Sequence, residues 1–72
     1  MSEVRIRNRL KQWRAEKELT QAELAELTGV SRKTINTVEN GVFVPSVLLA
    51  LMLAKRLDTT VESLFYIDPD KS

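Results

Sequence analysis

Residues 20–41 read TQAELAELTGVSRKTINTVENG, and the rest of the chain can be worked out from them. Thr20 and Glu23 stand at the spacing of a capping box, in which a hydroxyl and a carboxylate each satisfy a free backbone N–H at a helix start. The helix opened there is short, because Gly29 follows Thr28 and ends it with a left-handed turn. Ser31 is the next N-cap. It opens a helix through Ile35 and Val38 that Asn40-Gly41 closes. Two helices therefore lie within residues 21–40, joined by Thr28-Gly29-Val30. Ala25 is small where they cross, and Leu24, Val30, Ile35 and Val38 supply the core between them. Two helices at about 90–120° joined by a short Gly-containing turn make a helix-turn-helix.

Before this unit, Ile6, Leu10, Trp13 and Lys17 fall on one stripe of a 3.6-residue period and predict a helix over residues 4–17. After it, Pro45-Ser46 marks a boundary, and a fourth helix is predicted from about residue 46 to Leu57. Thr59-Thr60-Val61-Glu62 repeats the capping-box pattern and predicts a last short helix holding Leu64 and Phe65. No segment reads as an alternating strand. The expected fold is all-α: five helices in a single domain over residues 1–67, with residues 68–72 a frayed polar tail.

The chain has 72 residues, 43% of them hydrophobic, enough for one domain with a marginal core. It contains no cysteine and no histidine, which removes disulfides, Cys/His metal sites and Cys or His catalysis. The longest apolar run, Val47 to Ala54, is too short for a membrane span. Residues 1–20 are charged throughout and carry no legible signal peptide. Net charge is only +1, but the local balance alternates as +4, −3, +3 and −3 over residues 1–17, 18–30, 31–57 and 58–72. Screening limits distant acids to about 10 Å, so the basic segments can still attract phosphate. Arg5, Arg7, Arg9 and Lys11 also fit a merely solvated helix face.

The helix beginning at Ser31 points further. At 100° per residue Ile35 and Val38 mark its core side, while Lys33, Asn36, Thr37 and Asn40 face away and Arg32 stands at the exposed N-terminal edge. That face has no acid. Arg and Lys suit guanine edges, Asn suits adenine, and a Thr methyl can meet the thymine methyl. A plain helical corner has no need of such a face.

On these residues the segment 20–41 resembles the helix-turn-helix of the Cro and phage-repressor class, the XRE family. The similarity runs on through Pro45-Ser46, Ala54-Lys55-Arg56-Leu57 and Val61-Glu62-Ser63-Leu64-Phe65, and back through Leu10 and Arg14. Gln21, Ala25, Gly29, Ile35, Glu39 and Gly41 together carry it. The resemblance implies a repressor-like DNA-binding domain in which Arg32, Lys33 and Thr37 reach base edges. Thr20, Gln21, Ser31 and Asn40 would lie near backbone phosphates, and Asn36 could do either. It also implies an ion pair between Arg14 and Glu39, since a carboxylate near a helix C-terminus needs a cation. Two positions depart from the family pattern. Position 28, usually apolar, is Thr, expected to weaken local packing. The loop after Gly41, often basic, is Val42-Phe43-Val44.

The expected function is sequence-specific binding of double-stranded DNA by a transcriptional regulator, most simply a repressor, with helix 31–40 in the major groove. The alternative is a protein-interaction module or antitoxin-type partner on the same fold, which Val42, Phe43 and Val44 favour. No clustered acid, base or nucleophile suggests an enzyme. No cofactor, metal, small-molecule ligand or membrane is expected, and the setting is the cytoplasm. A homodimer on a pseudo-palindromic operator is expected because one motif reads only a few base pairs. Val47, Ala50, Leu51, Ala54 and Leu57 suffice for the core stripe of the fourth helix. Leu48 and Met52 then form a second apolar face, which Phe43, Phe65, Tyr66 and Ile67 extend as a dimer interface.

Overall fold

The computed structural model describes residues 5–68. In chain order the elements are β1 (Ile6–Asn8), α1 (Leu10–Glu16), α2 (Gln21–Thr28), α3 (Arg32–Glu39), α4 (Val47–Arg56), α5 (Val61–Leu64) and β2 (Phe65–Ile67). The caps act as read: the Thr20 hydroxyl accepts from Glu23 N–H at 3.0 Å and the Glu23 carboxylate accepts from Thr20 N–H at 2.8 Å. Ser31 caps α3 and Ser46 caps α4, but α5 is capped by Thr60, whose hydroxyl accepts from Ser63 N–H at 3.1 Å, one residue after the expected Thr59–Glu62 box. Gly29, at φ 74°, turns the chain between α2 and α3. Leu10, Leu24, Ile35, Val38, Leu53, Leu57 and Leu64 are fully buried, so every helix contributes to one core.

The two ends differ from expectation. The first helix starts at Leu10, not at residue 4, and Val4 lies outside the described residues. Arg5-Ile6-Arg7-Asn8-Arg9-Leu10 alternates with the period of a strand. Asn8 then fixes the break: its Oδ1 accepts from Leu10 N–H at 3.0 Å and its Nδ2 donates to the Val38 carbonyl at 2.9 Å. Phe65, placed in the last helix by sequence, instead opens β2. This strand pairs antiparallel with β1 in the register Ile6↔Ile67, Arg7↔Tyr66, Asn8↔Phe65. Asp68 is no frayed residue: it is buried, its N–H donates to the Arg5 carbonyl at 2.8 Å, and its carboxylate meets Arg7 at 3.2 Å. The remainder of the expected tail, residues 69–72, lies outside the described residues.

The phase of α4 also differs. Leu49, Ala50, Leu53, Ala54 and Leu57 are buried, whereas Val47 and Leu51 join Leu48 in solvent. A helix apolar on all sides offers no polar residue by which to phase it. Thr28, in contrast, sits comfortably at 3% exposure. Its hydroxyl donates to the Leu24 carbonyl at 2.8 Å, so the buried oxygen of Thr28 is satisfied.

Candidate nucleic-acid interface

The exposed side of α3 carries Arg32, Lys33, Asn36 and, at its C-cap, Asn40, with Ile35 and Val38 buried opposite. Thr37 is half-buried, and its hydroxyl donates to the Thr34 carbonyl at 2.9 Å. Its methyl remains for apolar contact. The Asn40 amide donates to Asn36 Oδ1 at 3.2 Å, so these two side chains orient each other. Arg32, Lys33 and Asn36 line one cleft together with Gln21. Thr20 and Gln21 line a neighbouring cleft with Arg14 and Arg32. The starts of α2 and α3 thus meet, with Asn40 at the far end of α3.

The one acid on α3 itself is turned away from its outer face, while Glu18 stands exposed at the edge of the cleft lined by Thr20, Gln21 and Arg32. Glu39, its side chain 3% exposed, accepts from Arg14 Nε at 2.6 Å and Nη2 at 3.3 Å. Arg14 Nη1 donates in turn to the Leu19 carbonyl at 2.8 Å. A third donor reaches Glu39 from α2: Gln21 Nε2, at 3.0 Å from Oε1. A carboxylate only accepts, so the amide nitrogen of Gln21 faces inward, and one of its two N–H groups remains for an outside acceptor. The network ties α1, α2 and α3 together and leaves the α3 surface basic and amide-bearing. The hydroxyls of Thr20 and Ser31 serve as cap acceptors; Thr20 keeps a proton to donate outward, while Ser31 Oγ also shares a 3.0 Å hydrogen bond with Thr34 Oγ1, in which either hydroxyl is the donor.

The residues expected at a dimer interface fall into two groups. On α4, Leu48 is exposed and Met52 half-buried; Val47 and Leu51 belong to the same outer side. On β2, Phe65 packs against the core, Ile67 is exposed, and Tyr66 lies under the Arg9 guanidinium, 4.1 Å from its ring centroid. The loop Val42-Phe43-Val44 is exposed. The N–H groups of Val42 and Phe43 both donate to the Thr37 carbonyl, at 2.9 and 3.2 Å, and so hold the loop against the end of α3.

Sequence reading passed over Asn8, the Arg7–Asp68 pair and the inward half of Gln21. The first two were signalled by the Arg-x-Arg-x-Arg alternation and by an Asn two residues before Leu10. The third has no signal in sequence. Among the described residues, no group of three or more His, Cys, Asp or Glu is placed to hold a metal ion, and no helix is long and apolar enough to cross a membrane.

Comparison with known proteins agrees with this geometry. The family model described as helix-turn-helix matches residues 10–64. An uncharacterised helix-turn-helix-type transcriptional regulator of Methanocaldococcus jannaschii is 41% identical over 66 residues, covering 92% of this chain and 100% of that protein. Among solved structures, the restriction-modification controller protein C.AhdI of Aeromonas hydrophila is 36% identical with a TM-score of 0.73, over 76% of this chain and 83% of that one. SinR, a master regulator for biofilm formation from Bacillus subtilis, was solved in complex with DNA. That structure is 32% identical with a TM-score of 0.72, over 76% of this chain and 89% of the SinR chain.

Proposed function

The chain belongs to the XRE-type family of helix-turn-helix transcriptional regulators, which bind DNA, and on that premise we propose that α3 enters the major groove of an operator and reads its bases. One observation carries this reading: the outer face of α3 holds Arg32, Lys33 and Asn36 in solvent, while its single acid, Glu39, is withdrawn into an ion pair. Arg32, Lys33, Asn36 and the Thr37 methyl meet base edges. Thr20, Gln21, Ser31 and Asn40 hold the backbone, Gln21 through its outward amide N–H and the others through hydroxyl or amide donors. One domain, extending through Asp68, performs the binding. Occupying a promoter is enough to exclude a polymerase, so the simplest action is repression. It takes place in the cytoplasm, without cofactor, small-molecule ligand or catalytic step.

The working species is a homodimer on a pseudo-palindromic operator. The apolar outer side of α4, with Leu48 and Met52, supports a twofold contact; on β2 Ile67 is open to a partner, whereas Phe65 packs against the core and Tyr66 lies under Arg9. Selection of bound sequences from a random duplex pool tests the base-reading role. The wild type is expected to enrich one motif. Arg32→Ala and Lys33→Ala should each cost about 1–3 kcal/mol and relax the preference at one position. An unchanged motif for both variants would rule out base reading by Arg32 and Lys33. A second reading, a protein-interaction module or antitoxin-type partner, is favoured by the exposed Val42-Phe43-Val44 loop. It becomes the better account if the wild type binds no duplex at physiological salt.

A further inference from the structure

The C-terminal end of α3 borders a cleft that the DNA-reading residues do not explain. It is lined by Arg5, Ile6 and Arg7 of the β1 segment and by Asn40, Gly41 and Val44. The segment is no loose arm, because the Asn8 amide donates to the Val38 carbonyl and so fixes β1 to the last turn of α3. Arg7 is held by Asp68 at 3.2 Å, yet its side chain is 57% exposed while the carboxylate is nearly buried. Among the described residues no ion pair engages Arg5. Glu39, the acid closest in sequence to the cleft, is taken up by Arg14.

The charge on α3 itself is one-sided. Arg32 and Lys33 stand in its first turn, and the loop that follows its last turn, Val42-Phe43-Val44, has no charge at all. Arg32 and Lys33 are placed on base edges at the start of α3, its far end is left to Asn40 on the backbone, and the loop that follows supplies no cation there.

We propose that Arg5 and Arg7 supply it, as a second phosphate clamp reaching the DNA backbone beside Asn40. This rests on α3 occupying the major groove. The clamp adds affinity without sequence preference, since phosphates carry no base identity. Asp68 positions Arg7 and also reduces its charge.

The test is titration of a fluorescent duplex of arbitrary sequence, about two helical turns long, at about 50 and 200 mM salt with wild type, Arg5→Gln, Arg7→Gln and the double variant. Each phosphate contact contributes about 0.9 to the logarithmic salt slope, or about 3.5-fold in affinity over this range. Each single variant is expected to lower the slope by about 0.9 and the double variant by about 1.8, on every duplex alike. Asp68→Asn separates the charge of Arg7 from its role as a strut. It should melt at lower temperature yet bind more tightly at low salt. Equal slopes for wild type and the double variant overturn the clamp, as does a loss confined to one base position. If Arg7→Gln and Asp68→Asn share only a lower melting temperature, Arg7 is a strut and its part in the clamp falls. Arg32→Ala and Lys33→Ala, titrated against the duplex selected by the wild type and its single-base variants, report on α3 separately: an unchanged base preference, with the arginine slopes reduced, sinks base reading by Arg32 and Lys33 and leaves the phosphate contact standing.

Discussion

Glu39 shows how one side chain sets the character of a surface. Were its carboxylate turned outward, it would repel the phosphates of the DNA that this family binds. Drawn inward, it joins three helices. Removing one partner of a largely buried pair strands the other charge, which typically costs about 3–5 kcal/mol. Arg14→Ala and Glu39→Ala are each expected to destabilise by that order, and the double variant by much less than their sum. A double-mutant cycle by urea unfolding measures the difference, and a coupling near zero would refute the pair. The need for a cation beside Glu39 was legible in the sequence, from an acid at the end of a helix whose dipole disfavours it. That Gln21 also reaches Glu39 was not. A glutamine gives no sign in one dimension of which way its amide turns, and the answer depends on a carboxylate eighteen residues away.

Helix ends divide the elements into two kinds. After α2, and after the Asn40 C-cap of α3, the chain turns through Gly29 and Gly41, which adopt positive φ freely. Past α1 and α4 the same left-handed position falls to Glu18 and Asp58, at φ 56° and 58°, where a Cβ is strained by roughly 1–2 kcal/mol. Asp58→Gly is therefore expected to stabilise the domain by about 1 kcal/mol, a rise of about 4–8 °C in Tm by calorimetry. An unchanged or lower Tm would mean the aspartate earns its place through contacts of its own. The elements whose boundaries were readable are those punctuated by capping residues and glycine: α2, α3 and the start of α4. The misread ones lack punctuation or periodicity. β1 and β2 are three residues each, too short for alternation to outweigh the helical stripe that Ile6 shares with Leu10. α4 lacked only its phase, which Leu49 and Leu53 settle by packing into the core.

Charge is distributed unevenly over the whole molecule. Residues 42–54 contain no ionisable side chain, and all the charge lies before or after them. A twofold contact sets each residue near the axis against its own copy, so a charge-free segment is well suited to pairing with itself. Leu48→Glu places two like charges across such a contact. It is expected to give a folded monomer with weakened operator binding, while the wild type sediments as a dimer at micromolar concentration. A wild type that sediments as a monomer, both free and on DNA, would remove the basis for a dimer. Closure is the other property of the whole. Ile6 pairs with Ile67, and the Arg5 carbonyl with the Asp68 N–H, so the first strand waits for the last. On the ribosome α2 and α3 emerge well before β2, and Leu64, one of the fully buried side chains, arrives with almost the last of the described residues. A nascent chain that has already made α3 still lacks part of the core and the strand that pairs with β1. A chain stopped short of Leu64 is therefore expected to leave the core open and β1 unpaired, and to be cut by a protease faster than the whole domain.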